Sequence, residues 1–349
     1  MMRYMKNPPP TSSPEVPVAS SSSSPSSDTP RAITVRFLTI DAELAGQRLD
    51  NFLMAQLKGV PKSRIYNLVR KGEVRVNKGR SRPDYKLCAG DLVRVPPVRT
   101  AEARVAAPAK AGNQLVALLD QSVLFENEGL LVINKPPGLA VHGGSGVNLG
   151  LIETLRQMRP EARYLELVHR LDRDTSGCIM VAKKRSYLRH LQAALRDKVE
   201  GQIEKVYCAL VVGHWPARLH QVNAPLLRTE VGADERYVRV HPDGKPSLTL
   251  FNVIQRYQGF TLVEARPVTG RTHQIRVHAR HAGHGLVGDE KYGDDDINLH
   301  MRNQGIKRLF LHASSLGFCL PGEAQMTWVE APLPQDLAQP LSCLESLGD

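Results

Sequence analysis

His169-Arg170-Leu171-Asp172-Arg173-Asp174-Thr175-Ser176-Gly177 is the stretch on which the reading of this chain turns. Seven of its nine residues are polar and it closes on glycine, between segments of strand-like composition. Such a run is predicted to be a loop, the setting in which a rigid scaffold displays reactive groups. Asp172 and Asp174 have Arg170 and Arg173 beside them. Two readings fit: a salt-bridged turn with a capping aspartate, or a carboxylate site among guanidinium groups.

The flanks of the loop decide the fold class. Gly177 to Ala182 follows it as a strand candidate, and Leu130 to Ile133, Val206 to Val212, Thr261 to Ala265 and Met326 to Val329 have the same character. Helical periodicity is sparser, over Tyr187 to Leu195 and over Arg271 to His281, where Ile275, His278 and Ala279 share a face. Many strands with few regular crossover helices predict an α+β fold built on a mixed, mainly antiparallel sheet, not a doubly wound one. There is no internal repeat, P-loop or G-x-G-x-x-G.

Two further polar clusters lie in this part. Thr269 to His278 contains Arg271, Arg276, His273 and His278, with both arginines suited to phosphate or carboxylate partners. Lys135-Pro136-Pro137-Gly138, then His142-Gly143-Gly144, pairs a rigid turn with a flexible one. A metal site drawn from His169, Asp172, His273 and His278 is disfavoured, because no H-E-x-x-H or H-x-H pairing exists and arginines compete with a cation. A serine hydrolase built on Ser176 or Ser145 is weaker still, since neither serine has a G-x-S-x-G setting. No metal and no cofactor are expected.

Upstream the character changes. Residues 1–31 are Ser/Pro-rich, with an unbroken serine run from Ser20 to Ser24, and are predicted to be a disordered tail. Residues 32–97 read as a small domain: a strand over Ile33 to Ile40, a helix over Arg48 to Leu57, and a second helix after Pro61 that Gly72 ends. Strands follow at Val74 to Asn77 and Asp91 to Val95. Between Gly46 and Pro97 stand twelve basic and four acidic residues, an excess of eight out of the chain's net +11. Lys62, Tyr66 and Arg70, four apart, share a helix face with Arg64 and Lys71 nearby. A basic face carrying an aromatic suits RNA, although a charge run is more often only a solvated face. Residues 98–118, rich in Ala and Pro, read as a linker to a larger second domain over 119–345.

The totals agree with these assignments. A chain of 349 residues has room for two domains. Its five cysteines, Cys88, Cys178, Cys208, Cys319 and Cys343, form no C-x-x-C pair. With no apolar leader or membrane-length apolar run, a soluble cytoplasmic protein is expected.

The small domain resembles the S4 RNA-binding domain, through Arg48-Leu49-Asp50-x-Phe52-Leu53, Ser63-Arg64-Ile65, Gly72-x-Val74-x-Val76-Asn77 and Gly90-Asp91-x-Val93. The family's glycine after Asn77 is displaced to Gly79 by Lys78, which predicts a local turn variation. The remainder resembles the pseudouridine synthases of the ribosomal large-subunit type. The motifs are His169-Arg170-Leu171-Asp172-x-x-Thr175-Ser176-Gly177, Gly270-Arg271-Thr272-His273-Gln274-Ile275-Arg276-x-His278, Lys205-x-Tyr207, Asn134-Lys135-Pro136-x-Gly138 and Arg308-Leu309-x-Leu311-His312-Ala313, all in the family's order. Within that family His142 to Gly146 and Leu165 to Val168 are most similar to the C subfamily.

The resemblance implies a uridine isomerase that detaches uracil from C1′, rotates it and rejoins it through C5. It implies Asp172 as the catalytic carboxylate, either attacking C1′ or removing a sugar proton. Arg276 would pair with Asp172, and Tyr207 would stack on the base and serve C5 proton transfer. Arg170 would fill the space of the flipped base. Lys62, Arg64, Tyr66, Arg70, Lys71, Arg170 and Arg271 are the expected RNA contacts. The implied partner is large-subunit (23S) rRNA or its assembly intermediates, engaged by a monomer, with three target uridines near the peptidyl-transferase region. The alternatives are a sibling acting on the helix 69 stem-loop and a non-catalytic ribosome-assembly factor built on the S4 domain.

Overall fold

The structure is a computed structural model that describes residues 34–41, 44–57, 59–98, 111–143, 149–197, 201–231 and 235–347. The tail 1–31, residues 99–110 of the stretch read as linker, and Gly144, Ser145 and Gly146 of the glycine loop lie outside the described residues. The chain divides into two compact units, 1–103 and 104–349.

The first unit runs β1 (Arg36–Thr39), α1 (Leu49–Gln56), α2 (Lys62–Arg70), β2 (Arg75–Val76) and β3 (Leu92–Val95), with the strands in the order β1-β3-β2. The predicted stripe on α1 is its buried face: Leu49, Phe52 and Leu53 meet Ile65, Leu68 and Val69 of α2 in one apolar core. Gly72, at φ +73°, carries the left-handed turn that ends α2. The displaced glycine has a clear consequence. Val76 and Gly79 exchange both backbone hydrogen bonds, at 3.0 and 2.9 Å, around Asn77 (φ 49°) and Lys78 (φ 68°). Two successive left-handed residues make the mirror-image turn that matches strand twist. Asn77 is suited to it and its amide also ties Asp91 and the Leu92 N–H. Lys78 has no such compensation for its Cβ. Lys78→Gly is therefore expected to stabilise this unit by about 1 kcal/mol, read as a later midpoint of its urea transition. An unchanged or earlier midpoint would contradict the turn argument.

The second unit opens with α3 (Asn113–Gln121), which begins inside the stretch read as linker and buries Leu119. It continues β4 (Val123–Glu126), β5 (Leu130–Lys135), α4 (Leu151–Met158), β6 (Glu166–Leu167), β7 (Ser176–Ala182), α5 (Arg185–Asp197), β8 (Ile203–Val212) and β9 (Gln221–Asn223). The hairpin β10 (Leu226–Val231) and β11 (Glu235–Val240) follows, then β12 (Leu248–Tyr257), β13 (Phe260–Pro267), α6 (Gln274–His281) and α7 (Asp295–Asn303). The chain ends with β14 (Leu311–Cys319), β15 (Met326–Glu330), α8 (Gln335–Ser342) and β16 (Ser346–Leu347). Eleven strands form one sheet along the order β16-β12-β13-β8-β14-β7-β5-β4, with β15, β6 and β9 paired at its margins. Among its described pairings only β7 with β14 is parallel, so the expected α+β, mainly antiparallel architecture is the one observed.

Both faces of the sheet are covered. Alternate residues of β5 and β7 enter opposite cores: Leu131, Ile133, Ile179 and Val181 pack with α4, while Leu130, Val132, Met180 and Ala182 pack with Leu191 of α5. Every residue of β7 is buried, so its composition is apolar without alternation. Gly177, at φ +107°, is required where β7 meets β14: a Cβ there would run into the Ala313 carbonyl. That close approach fixes the loop before β7, and hence Asp172, against the middle of the sheet. No helix among the described residues is long and apolar enough to cross a membrane.

Candidate active site

Asp172 stands in the loop before β7, on the wall between two hollows. The first, a cavity of about 540 Å³, is lined by His169, Arg170, Asp172, Lys205, Tyr207 and the segment Thr269–Arg276. The second, of about 750 Å³, opens past Asp172 toward Pro137, Gly138, Asp289–Lys291 and Lys307–Leu309. Arg170, Asp172, His273 and Arg276 border both. The volumes suit a nucleotide-sized ligand.

The loop is held from beneath by Lys135 at the end of β5. Its side chain is fully buried and its Nζ donates to the carbonyls of Pro136, Leu139 and Arg173, at 2.8, 2.9 and 2.9 Å. One ammonium therefore joins the Pro-Pro-Gly turn to the residue after Asp172. Burial pulls this lysine down to about 7, with Asp174 and Asp172 opposing. His169 faces inward and accepts a hydrogen bond from the Met180 N–H at 3.2 Å. Burial, helped by Lys205, holds its imidazole down to about 4, so it is a neutral acceptor there.

Arg276 was expected to pair with Asp172, and its strongest partner is another carboxylate. Its Nε and Nη2 donate to Asp289 at 2.7 and 2.6 Å, and its Nη1 reaches Asp172 Oδ2 at 3.7 Å. The guanidinium is 8% exposed and the Asp289 side chain 0%, which explains the difference. A charge so deeply buried needs a fully engaged counter-charge, and Asp172, one-fifth exposed to the cleft, does not supply it. Burial works against the charge on Arg276, and Asp289, joined by Asp172, more than offsets it, so its pKa is raised.

His273 is the second group facing Asp172, its Nε2 3.8 Å from Oδ2. It sits at φ 53°, ψ 22°, just before α6, which therefore starts at Gln274 and not at Arg271 as the periodicity predicted. Its Nδ1 meets the Tyr292 hydroxyl at 2.7 Å. Neither contact to Asp172 is short enough for a hydrogen bond. The Asp172 carboxylate thus faces two side chains held in place from behind, with no direct hydrogen bond among the described residues, leaving room for a reacting group.

Tyr207, on β8, is 8% exposed and borders the first cavity. Burial, with the Asp172 charge adding, pushes its phenol upward, so the hydroxyl stays protonated. Gln274, one position into α6, uses all its hydrogen-bonding capacity: Oε1 accepts from Thr269 Oγ1 and the Arg271 N–H, and Nε2 donates to the Leu248 carbonyl and Thr249 Oγ1. That fixes the loop carrying Arg271, whose Nε also donates to the Pro246 carbonyl.

The structure brings Asp172, Tyr207, Arg276, Arg170 and Arg271 around one cleft. Lys62, Arg64, Tyr66, Arg70 and Lys71 belong to the first unit, all exposed. There the Tyr66 hydroxyl is engaged by Asp50 at 2.8 Å, and Asp50 in turn by Arg48. Sequence reasoning missed Asp289 and Tyr292. Their signal was Gly288-Asp289-Glu290-Lys291-Tyr292-Gly293, a glycine-bounded turn in which a Cβ at Gly288 would strike the Arg308 carbonyl. The rivals fare poorly. Ser176 Oγ and His312 Nδ1 lie 2.9 Å apart, yet both are 0% exposed and His312 Nε2 is spent on the Ala331 carbonyl. His278, one of the four residues weighed for the disfavoured metal site, is likewise buried between Thr249 and the Ala224 carbonyl. No group of three metal-ligating side chains occurs among the described residues.

Residues 129–281 match the family described as RNA pseudouridylate synthase, and residues 47–93 match the S4 domain. A protein of Pasteurella multocida (strain Pm70) called ribosomal large subunit pseudouridine synthase C is 54% identical over 310 residues, 89% of this chain and 94% of that one. The protein of the same name from Escherichia coli (strain K12) is 52% identical over 316 residues, 90% and 97% of the two chains. Among solved structures, human RNA pseudouridylate synthase domain containing 4 aligns with a TM-score of 0.54 at 25% identity, over 66% of this chain and 95% of that one.

Proposed function

This chain belongs to the RNA pseudouridylate synthase family, and on that premise we propose that it isomerises uridines of large-subunit ribosomal RNA to pseudouridine, with Asp172 as the catalytic carboxylate. One observation carries the reading: Asp172 is a cleft-facing carboxylate with no direct hydrogen bond among the described residues, flanked by an arginine and a histidine that are each fixed by a residue behind them.

The reaction balances within the nucleotide. The N1–C1′ bond breaks, a C5–C1′ bond forms, C5 loses its proton and N1 gains one. No oxidant or co-reactant is required. Asp172 works beside the sugar, at C1′ or at a neighbouring sugar proton. Arg276 directs positive charge at Asp172 from a position Asp289 fixes. Tyr207 stacks on the base, and because its hydroxyl stays protonated it serves as a relay from C5 to N1, accepting the C5 proton as it releases its own to N1.

The base must leave its stack, at a cost of a few kcal/mol, and exposed Arg170 on the rim of both hollows is the group that takes its place. Arg271 and the first unit's Lys62, Arg64, Tyr66, Arg70 and Lys71 contact the RNA. We take the target set to be three uridines near the peptidyl-transferase region, as the likeness of His142 to Gly146 and Leu165 to Val168 to the C subfamily implies; the names of the similar proteins support the large-subunit RNA alone.

Carbodiimide mapping of pseudouridine in rRNA from a deletion strain tests this. Three large-subunit sites are expected to vanish and to return with the wild-type gene but not with Asp172→Asn. Loss confined to the helix 69 stem-loop would favour the sibling reading. An unchanged map would leave only an RNA-binding assembly factor.

A further inference from the structure

We propose that Tyr292 is a positioning residue that fixes His273 as the tautomer protonated on Nε2, so that the imidazole turns a donor and not a lone pair toward Asp172. The inference rests on the reading of Asp172 as the catalytic carboxylate.

Proton counting around one hydroxyl gives the tautomer. The Tyr292 oxygen accepts the Val238 N–H at 3.0 Å and meets His273 Nδ1 at 2.7 Å. A phenol has one proton to donate. If Nδ1 also carried hydrogen, the oxygen would receive two N–H groups and its own proton would have no acceptor, in a residue only 3% exposed. The arrangement closes only if the hydroxyl donates to Nδ1. Burial pushes Tyr292 up to about 12, so the donor is present at every relevant pH. Burial also lowers His273 against the pull of Asp172, with Arg276 and Lys291 lowering it further and Asp289 opposing. A neutral ring has one N–H, which then lies on Nε2, 3.8 Å from Asp172 Oδ2.

Two more observations show that the ring is held for a purpose. His273 occupies a left-handed conformation, which disfavours a non-glycine residue and is kept where the surroundings impose it. The Tyr292 ring meets the His273 ring edge-on at 5.4 Å and lies beneath the Arg276 guanidinium at 5.0 Å. Asp289, which fixes that guanidinium, accepts the Tyr292 backbone N–H at 3.0 Å. One short turn, Asp289 to Tyr292, therefore aims both donors at Asp172: Asp289 sets the arginine and Tyr292 sets the histidine.

The test uses the full-length chain with Tyr292→Phe, which keeps the ring and removes the hydroxyl. Imidazole ¹⁵N spectra, with His273 assigned by its loss in His273→Asn, are expected to show Nδ1 unprotonated in wild type and a mixture of the two tautomers in Tyr292→Phe. Single-turnover pseudouridine formation on transcribed large-subunit rRNA should fall about tenfold at pH 8 in Tyr292→Phe. It should recover only as the pH falls well below the ordinary imidazole value, because burial lowers His273 and the imidazolium, which again carries an Nε2 proton, forms late. In a His273→Asn background, adding Tyr292→Phe should change the rate no further. Wild-type His273 protonated on Nδ1, a pH-independent loss in Tyr292→Phe, or a full further loss in the His273→Asn background would each overturn the inference. Retained activity in Asp172→Asn would instead overturn the reading of the site, leaving the ¹⁵N result to stand by itself.

Discussion

Asp172→Asn is expected to lower pseudouridine formation by at least about three orders of magnitude, some 4 kcal/mol of transition-state stabilisation, with RNA affinity within about twofold of wild type. The separation follows from what the carboxylate does and does not touch. Its Oδ2 stands 3.7 Å from Arg276 Nη1 and 3.8 Å from His273 Nε2, so among the described residues asparagine breaks no hydrogen bond. The loop keeps its shape through groups that remain: Lys135 on the Arg173 carbonyl, the Thr175 N–H on the Asp172 carbonyl at 3.3 Å, and Gly177 against β14. Affinity for RNA comes from many cations, of which the region from Gly46 to Pro97 alone has an excess of eight. One anion fewer in the cleft takes nothing from that. What is removed is the group proposed to act at the sugar. Release of tritium from RNA labelled at C5 of uridine reads the chemistry, and filter binding reads the affinity. Retained release would remove Asp172 from the mechanism, and parallel loss of both would make it a binding residue.

The difference between contiguous and distant information explains what could be read from the chain. Asp172 and Arg276 were identifiable because each lies in a dense local pattern, and a local pattern survives in one dimension. The buried partner of Arg276 was not. Asp289 is thirteen positions further on, in a turn of ordinary composition, and only folding back against the Arg308 carbonyl brings it under the guanidinium. The strands show the same limit. β5, β7, β8, β13 and β15 were each found from composition, yet nothing in composition places β14 between β7 and β8 or makes its contact with β7 parallel. Pairing across more than a hundred residues is set by which cores must be covered, here on both faces of β7. Short-range deviations were half legible. The displaced glycine after Asn77 pointed to an altered turn, while the left-handed Lys78 and His273 appear only in the backbone. The start of α3 inside an Ala/Pro-rich stretch shows how composition blurs a helix end.

Asp289→Asn is the substitution for which the fold and the chemistry should fail together, and then separate. Asparagine keeps the shape and can still accept the Lys291 and Tyr292 N–H groups that Asp289 Oδ1 now accepts at 3.0 Å. It cannot balance Arg276, whose guanidinium is 8% exposed and bound to that carboxylate through two nitrogens. Removing one member of a buried pair strands the other charge, at about 3–5 kcal/mol. For a unit of this size that corresponds to a melting point lower by roughly 10 °C. Asp172 is then the carboxylate within reach of Arg276, and the guanidinium should close the remaining 3.7 Å gap and occupy the space a nucleotide needs. Single-turnover activity is expected to fall by about a hundredfold. Adding Arg276→Met removes the stranded charge and should recover more than half of the lost stability, read by thermal unfolding, while activity stays at least as low as in Asp289→Asn because the guanidinium that faces Asp172 is gone. If the double variant melts no higher than Asp289→Asn, the buried charge is not the cause of the instability. If Asp289→Asn keeps wild-type turnover, Arg276 needs no fixed position, and the division of labour between the loop before β7 and the turn after α6 is wrong.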